Sequence, residues 1–200
     1  DFYTEVTNPN ADWWVEFDYQ FLYSSGTTVV TKGFLLPGQQ KPLVALAVNS
    51  STPVTQAQIE LTNIFWHRID HHQIVEYETW QQDRLNISII NPVFTQETSL
   101  SGDLVGRTTF TVKNTTAFSY ADPEFYVLLK KGSSVVGVNR ATVTSLLAGE
   151  ETEIVLNWFG VLPSVTSVEV LPDIELFDVH VYLKPVSESS LDTRTINQSN

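Results

Sequence analysis

Residues 15–23 read Val15-Glu16-Phe17-Asp18-Tyr19-Gln20-Phe21-Leu22-Tyr23. Side chains of an extended strand point to opposite faces with period two. This stretch therefore sets Val15, Phe17, Tyr19, Phe21 and Tyr23 on one face and Glu16, Asp18 and Gln20 on the other. The pattern predicts a strand with one buried face. Shifted by 106 residues, the parity returns: Ala121, Pro123, Phe125, Val127 and Leu129 face inward, while Asp122, Glu124 and Lys130 face out.

The shift is general. Val6-Thr7-Asn8 recurs as Val112-Lys113-Asn114, and Gly26-Thr27-Thr28-Val29-Val30 as Gly132-Ser133-Ser134-Val135-Val136, both at an offset of 106 (112 − 6 and 132 − 26). Leu35-Leu36-Pro37-Gly38-Gln39 is echoed by Leu146-Leu147-Ala148-Gly149-Glu150 at 111 (146 − 35), as if one hairpin had grown by five residues. Leu43, Ala45 and Ala47 then match Ile154, Leu156 and Trp158 at the same offset. The repeated positions are core and turn positions, which predicts two copies of one small β domain.

Further strands are predicted at Thr28–Phe34, Gln56–Leu61, Ile74–Trp80, Leu85–Phe94, Asp103–Lys113, Val135–Thr144, Val165–Leu171 and Val179–Leu183. Turn signals at Ser24-Ser25-Gly26, Pro37-Gly38, Lys131-Gly132 and Ala148-Gly149-Glu150 separate them. No long amphipathic helix is expected. The predicted class is all-β: a first sandwich over 1–80, a second over 81–186 and a polar tail over 187–200. Trp66-His67-Arg68-Ile69-Asp70-His71-His72 reads as the connector. The inner faces should include Phe17, Tyr19, Phe21, Ile59 and Leu61 in the first copy. In the second they should include Phe110, Val112, Phe125, Val127, Leu156, Trp158, Val168 and Val170. Asp1–Asn8 falls at the place of Arg107–Asn114, yet the second copy carries the strand-like Leu85–Ile90 upstream. A missing strand, a signal or a membrane anchor before Asp1 is therefore expected.

Composition narrows function. Of 200 residues 42% are hydrophobic and 12% aromatic, enough for a packed core. Eleven Lys and Arg against 23 Asp and Glu give a formal charge of −12, which repels phosphate backbones and makes nucleic acid an unsuitable partner. The chain has no cysteine, so disulfides and thiolate chemistry are excluded. No apolar run approaches the roughly 18 residues of a membrane span.

Thr109-Phe110-Thr111-Val112-Lys113-Asn114-Thr115-Thr116, Phe125-Tyr126-Val127-Leu128-Leu129 and Leu147-Ala148-Gly149-Glu150-Glu151-Thr152 together resemble the FxLyD and CARDB-like group of immunoglobulin-like β-sandwiches. Such domains show a strand ending in Val-x-Asn, a Val-x-Leu-Tyr-like strand and a Leu-x-Pro-Gly-Glu turn. Val6-Thr7-Asn8-Pro9-Asn10, Phe21-Leu22-Tyr23 and Leu36-Pro37-Gly38-Gln39 repeat these elements. The pair is similar to tandem-domain surface proteins of candidate-phylum (Patescibacteria-type) bacteria, in which a membrane-anchoring helix precedes the domains. The resemblance covers most of residues 1–183 and implies two immunoglobulin-like antiparallel sandwiches, an exported location and no catalysis.

Several groups of residues stand as candidate sites. His67, Asp70, His71 and His72 could ligate a divalent metal, but their spacing matches no closed zinc pattern and Arg68 lies among them, so a solvated connector is expected and no metal is assigned. No Gly-x-Ser-x-Gly turn exists, and the bases available near neutral pH are His67, His71, His72 and His180, so no catalytic residues are assigned. Glu150-Glu151-Thr152-Glu153 and Asp173, Glu175 and Asp178 could form a glycosidase pair or hold calcium. Glu150 and Glu151 replace Gln39 and Gln40 at a turn, where charge serves solubility, and the latter three lack calcium-loop spacing. Trp13, Trp14, Trp66, Trp80 and Trp158 are candidate sugar platforms, with Trp158 in the inward register. Asn49, Asn86, Asn114 and Asn197 begin glycosylation sequons. The expected function is a non-enzymatic, exported or cell-surface scaffold or adhesion module without cofactor, binding protein. The alternative is a carbohydrate-binding module.

Overall fold

The computed structural model describes residues 1–50, 54, 56–98, 102, 104–159 and 164–184. The first half comprises β1 (Phe2–Thr7), β2 (Trp13–Tyr23), β3 (Gly26–Thr27), β4 (Thr31–Leu35), β5 (Gln40–Ala45) and β6 (Ala57–Arg68). Helix α1 (Tyr77–Leu85) follows. The second half comprises β7 (Ile87–Thr98), β8 (Leu104–Asn114), β9 (Tyr120–Ala121), β10 (Glu124–Lys131), β11 (Ser134–Thr142), β12 (Ser145–Leu146), β13 (Glu151–Phe159) and β14 (Ser167–Asp173). The class is all-β, and the strand pairs are antiparallel.

In the first half, a sheet ordered β4-β2-β6, extended by β3 beside the end of β2, packs on the pair β1-β5. Val15, Phe17, Tyr19, Phe21, Leu35 and Leu43 fill the space between them. In the second half, β11-β10-β14 packs on β13-β8-β7 around Phe110, Val112, Phe125, Val127, Leu129, Leu146, Ile154 and Trp158. Leu156 and Val168 are partly buried against that core, and Val170 lies within it. Gly33 has a packing reason: a Cβ there would lie 2.6 Å from the Phe17 ring.

The pairing register itself repeats. Thr4↔Leu43 and Val6↔Lys41 reappear as Phe110↔Ile154 and Val112↔Thr152. Tyr19↔Leu61 and Phe21↔Ile59 reappear as Phe125↔Pro172 and Val127↔Val170. The first member of each pair moves by 106 and the second by 111, so the five extra residues lie between strands and leave the pairing intact. The glycine turn departs from this rule. Tyr23 pairs with Gly26 but Lys131 with Ser134, so Gly26 opens a strand whereas Gly132 sits in the turn at φ 62°.

One side-chain amide organises each half. Asn8 and Asn114 are 1% and 0% exposed. Asn8 Nδ2 donates to Trp13 O (2.7 Å) and Leu36 O (3.0 Å), and Asn114 Nδ2 donates to Phe118 O (2.7 Å), Leu146 O (3.2 Å) and Leu147 O (3.0 Å). Each Oδ1 accepts from a backbone amide two residues on, that of Asn10 or Thr116. The turn closes alike, with Leu36 N on Gln39 Oε1 and Leu147 N on Glu150 Oε2. Glu150 is therefore part of the turn's hydrogen bonding, a role its reading as a solubilising charge did not include. The sequon at Asn114 is likewise spent on the interior.

Other expectations are corrected. Ile74–Trp80 is not a strand: Tyr77, Trp80 and Arg84 recur at helical spacing, Trp80 N donates to Glu76 O, and Arg84 lies over the Trp80 ring. The boundary placed between residues 80 and 81 falls inside this helix. Val179–Leu183 forms a 3-10 turn at Val179–Val181 and a lone bridge from Tyr182 to Tyr120. The strand expected at Thr28–Phe34 breaks over Thr28-Val29-Val30. The strand expected to end at Leu61 continues to Arg68 across a bulge at Asn63, so Trp66, His67 and Arg68 belong to β6 and not to a connector. Leu61 is 39% exposed, and β5 ends before Ala47. The tail at 187–200, Asp103 and Asn197 lie outside the described residues.

Strand β10 is buried on both faces. Its Phe125, Val127 and Leu129 enter the second core, while Tyr126 and Leu128 meet Val44 of β5, with Tyr3 and Leu46 alongside. A further shared cluster joins Phe34 and Leu36 to Tyr120, Ile174 and Leu176. Between these contacts, Lys41 Nζ lies 2.7 Å from Asp173 Oδ1 and 3.3 Å from the Phe34 ring centre. Both partners are buried. Burial pulls the Lys41 ammonium below its ordinary value, and Asp173 opposes that shift.

Two outcomes follow for urea unfolding. Asn114→Ala removes the buried donation to Leu146 O and the acceptor of the Thr116 amide and should cost roughly 2–4 kcal/mol; Asn114→Asp should not restore the donation, because a carboxylate only accepts. Lys41→Ala should cost about 3 kcal/mol, the low end for a broken buried pair, since Arg140 remains 3.9 Å from Asp173.

Candidate functional site

The outward face of the first sheet carries a cleft of about 520 Å³ where the two halves meet. Glu16 and Asp18 of β2 and Lys32 of β4 reach it by strand parity, Asn63 and Phe65 come from β6, and Glu175 closes it from the second half. Asn63 sits at φ 48°, the left-handed region that Asn tolerates. From the bulge its Nδ2 donates to Asp18 Oδ2 at 2.7 Å. His67 Nε2 lies 2.7 Å from Glu16 Oε2. Burial, reinforced by Glu16 and Asp178, pushes the Glu175 carboxyl up to about 7.

Beside the cleft an aromatic column crosses the junction. The His67 ring stacks on Trp14 (4.1 Å between centres), Trp14 on Phe177 (4.7 Å) and Phe177 on Trp80 (5.0 Å). Arg84 continues it, 4.3 Å from Trp80 and 4.4 Å from Phe118. Trp14 and Trp80 thus cover each other's neighbours and are not open platforms. Trp158 is buried, with Nε1 donating to Thr108 Oγ1. Trp13 and Trp66 remain exposed, together with Leu61, Ile64 and Phe65.

The histidine group is not gathered about one point. His67 faces Glu16, His71 Nε2 lies 3.1 Å from Asp12, and Asp70 accepts from the His72 amide. Asp173, Glu175 and Asp178 also separate: the first pairs with Lys41, the second lines the cleft, and the third accepts from His180 N at the 3-10 turn. Glu151 pairs with Lys113 at 2.5 Å. Among the described residues no three His, Asp or Glu side chains are placed to share a metal ion.

The reading from sequence missed Glu16, Asp18, Lys32, Asn63 and Phe65 as one surface. The alternation of β2 already turned Glu16 and Asp18 outward together. Nothing local joined them to Glu175, which the packing of the halves supplies. No protein-family model matches the chain, and no match is found among curated proteins.

Glu175 makes the cleft pH-dependent. Its carboxyl is raised in the fold above an ordinary value of 4.5, so the native state binds the proton more tightly than the unfolded chain. The stability this contributes is present below about 4.5 and lost as pH rises through about 7. In thermal melts across that window, Glu175→Gln should be more stable than the parent at pH 7.5, with the difference vanishing near pH 4.

Proposed function

We propose that this chain is a non-catalytic interaction module, a tandem of two immunoglobulin-like sandwiches working at the cell surface, that binds another protein through the outward side of β6. The observation that carries this is Phe65, 62% exposed and lining the polar cleft from a hydrogen-bonded strand. Large apolar side chains held rigidly in a polar rim are the usual anchors of protein contacts. The cleft's charged groups support a binding role over a chemical one, because Glu16 is engaged by His67 and Asp18 by Asn63. The formal charge of −12 favours a partner with a basic surface. Export rests on the resemblance to anchored surface proteins. No helix among the described residues is long and apolar enough to cross a membrane.

A glycan is the second reading, favoured by Phe65 lying beside Asp18, Lys32 and Asn63 in one open cleft. Binding to envelope fractions of the source cells and to a glycan array separates the two. Phe65→Asp should weaken envelope binding about thirtyfold, as loss of an anchor worth about 2 kcal/mol requires, with the melting temperature unchanged. Saturable array binding that Phe65→Ala abolishes would instead establish the glycan reading.

A further inference from the structure

The pair Lys41–Asp173 is set apart from the other lysine pairs of the fold. Those of Lys113 with Glu151 and Lys130 with Glu169 are open to water, whereas the side chains of Lys41 and Asp173 are 4% and 8% exposed. The pair is also no part of the repeat. By the registers already given, Lys41 corresponds to Thr152, and Asp173 to Thr62 (173 − 111). Both side chains therefore belong to the junction alone.

The surroundings of Nζ suit an amine better than an ammonium. An ammonium has three protons to satisfy. Asp173 Oδ1 takes one at 2.7 Å, the Phe34 ring lies 3.3 Å away, and among the described residues Nζ meets no second acceptor. Arg140 is 3.9 Å from Asp173 Oδ2 and is engaged by Glu124 at 2.9 Å, so Lys41 is the close partner of the carboxyl. Glu175 follows two residues on, between the buried Ile174 and Leu176. It lines the cleft with Phe34, and both Lys41 and Asp173 act on its carboxyl. In water, hydration of the two ions keeps an amine and an acid from condensing. Burial removes that hydration and excludes water as a competing reactant. The fixed contact supplies the encounter: a C–O bond adds about 1.2 Å to the 2.7 Å separation, which puts Nζ within about 4 Å of Asp173 Cγ.

We infer that Lys41 and Asp173 condense after folding to an amide that joins β5 of the first half to the end of β14 in the second. This goes beyond the binding reading and is independent of it. One proton passes from the ammonium to the Asp173 carboxylate, leaving a neutral amine and a neutral acid. The Nζ lone pair forms a bond to Cγ, and the π pair of the carbonyl moves to its oxygen. Nζ then gives up a second proton, which Glu175 passes to the Asp173 hydroxyl. That C–O bond breaks, the oxygen leaves as water and the carbonyl reforms. Nζ keeps one proton, and atoms and charge balance without oxidant, reductant or cofactor. Glu175 suits the relay because its carboxyl, raised to about 7, both takes and gives a proton near neutral pH. The bond closes a loop across the junction, which a chain without cysteine cannot close by a disulfide.

Intact mass and tryptic mapping of the full chain test this. The folded chain should weigh one water less than its sequence. Trypsin should release residues 33–68 joined to 141–194, the peptides that carry Lys41 and Asp173. Sampled during cell-free synthesis, the chain should start at its full sequence mass and lose water only as it becomes resistant to protease. Glu175→Gln should slow that loss at least tenfold and still reach the same end. Lys41→Arg keeps a cation opposite Asp173 without a nucleophilic amine, and should hold its full mass and give separate peptides. The stability loss stated above for Lys41→Ala is that of the ion pair in a chain not yet bonded. Full sequence mass in the folded parent, after incubation to constant mass, would overturn the inference. So would a lost water that maps to one peptide, as closure of Asp173 on its own backbone gives, or joined peptides in Lys41→Arg. Bonding of Glu175→Gln at the parent's rate would overturn the relay. The two measurements on the parent do not depend on any variant folding.

Discussion

The buried amides of Asn8 and Asn114 are the constraint on which both halves depend. An amide excluded from water must satisfy two donors and an acceptor within the protein. Here the donors meet carbonyls at the start of β2, just after β4, in the loop after β8 and at the end of β12. One side chain thus ties the end of β1 or β8 to the following loop and to the turn before β5 or β13. Asp cannot supply the donors and Gln adds a methylene that the closed site must accommodate. That is why Val-x-Asn and the Leu-x-x-Gly-Gln/Glu turn travel together across the duplication: they are two ends of one set of hydrogen bonds, and they hold the offsets of 106 and 111 in register.

Much of this was legible in the chain because period two is a local property. The strand β2, the inward set Phe17, Tyr19 and Phe21, and the inward set Phe110, Val112, Phe125 and Trp158 all follow from alternation plus duplication. Where reading failed, a non-local term decided. Parity placed Glu124 and Lys130 outward but could not show that Tyr126 and Leu128, on that same face, meet Val44 of the other half. Asn63 breaks the alternation of β6 with a left-handed residue, and a pattern that relies on unbroken parity stops there. In α1, Tyr77 and Trp80 have strand-like preferences; their helical spacing acquires a reason only from Phe177, against which both stack.

The site was less legible than the fold for the same reason. His67, His71 and His72 are close in sequence, yet a strand end and a turn send them to different carboxylates. Glu16 and Glu175 are remote in sequence, and the docking of the halves brings them to one cleft. Clustering along the chain is therefore a poor guide to chemistry in a sheet protein, where neighbours in sequence diverge to opposite faces and neighbours in space come from other strands.

The contact between the halves is head-to-tail, since it uses the β5 side of one and the β10 side of the other. A heterologous contact between repeats has no intrinsic end. The two equivalent faces that this contact leaves over have diverged in sequence. On β2, Gln20 stands where β10 has Tyr126, and it donates to Glu60 at 2.6 Å in solvent. On β13, Val155 stands exposed at the place of the buried Val44, and Glu151 of the same strand pairs with Lys113 of β8. A polar face cannot make the dry contact that β10 makes, and of the two faces the first half's outward β2 face is the more polar. The equivalent strands now differ: β10 joins a dry junction, whereas β2, with Glu16 and Asp18, forms the floor of the cleft. The asymmetry between otherwise equivalent strands is thus what leaves an open cleft on one half and a dry junction on the other.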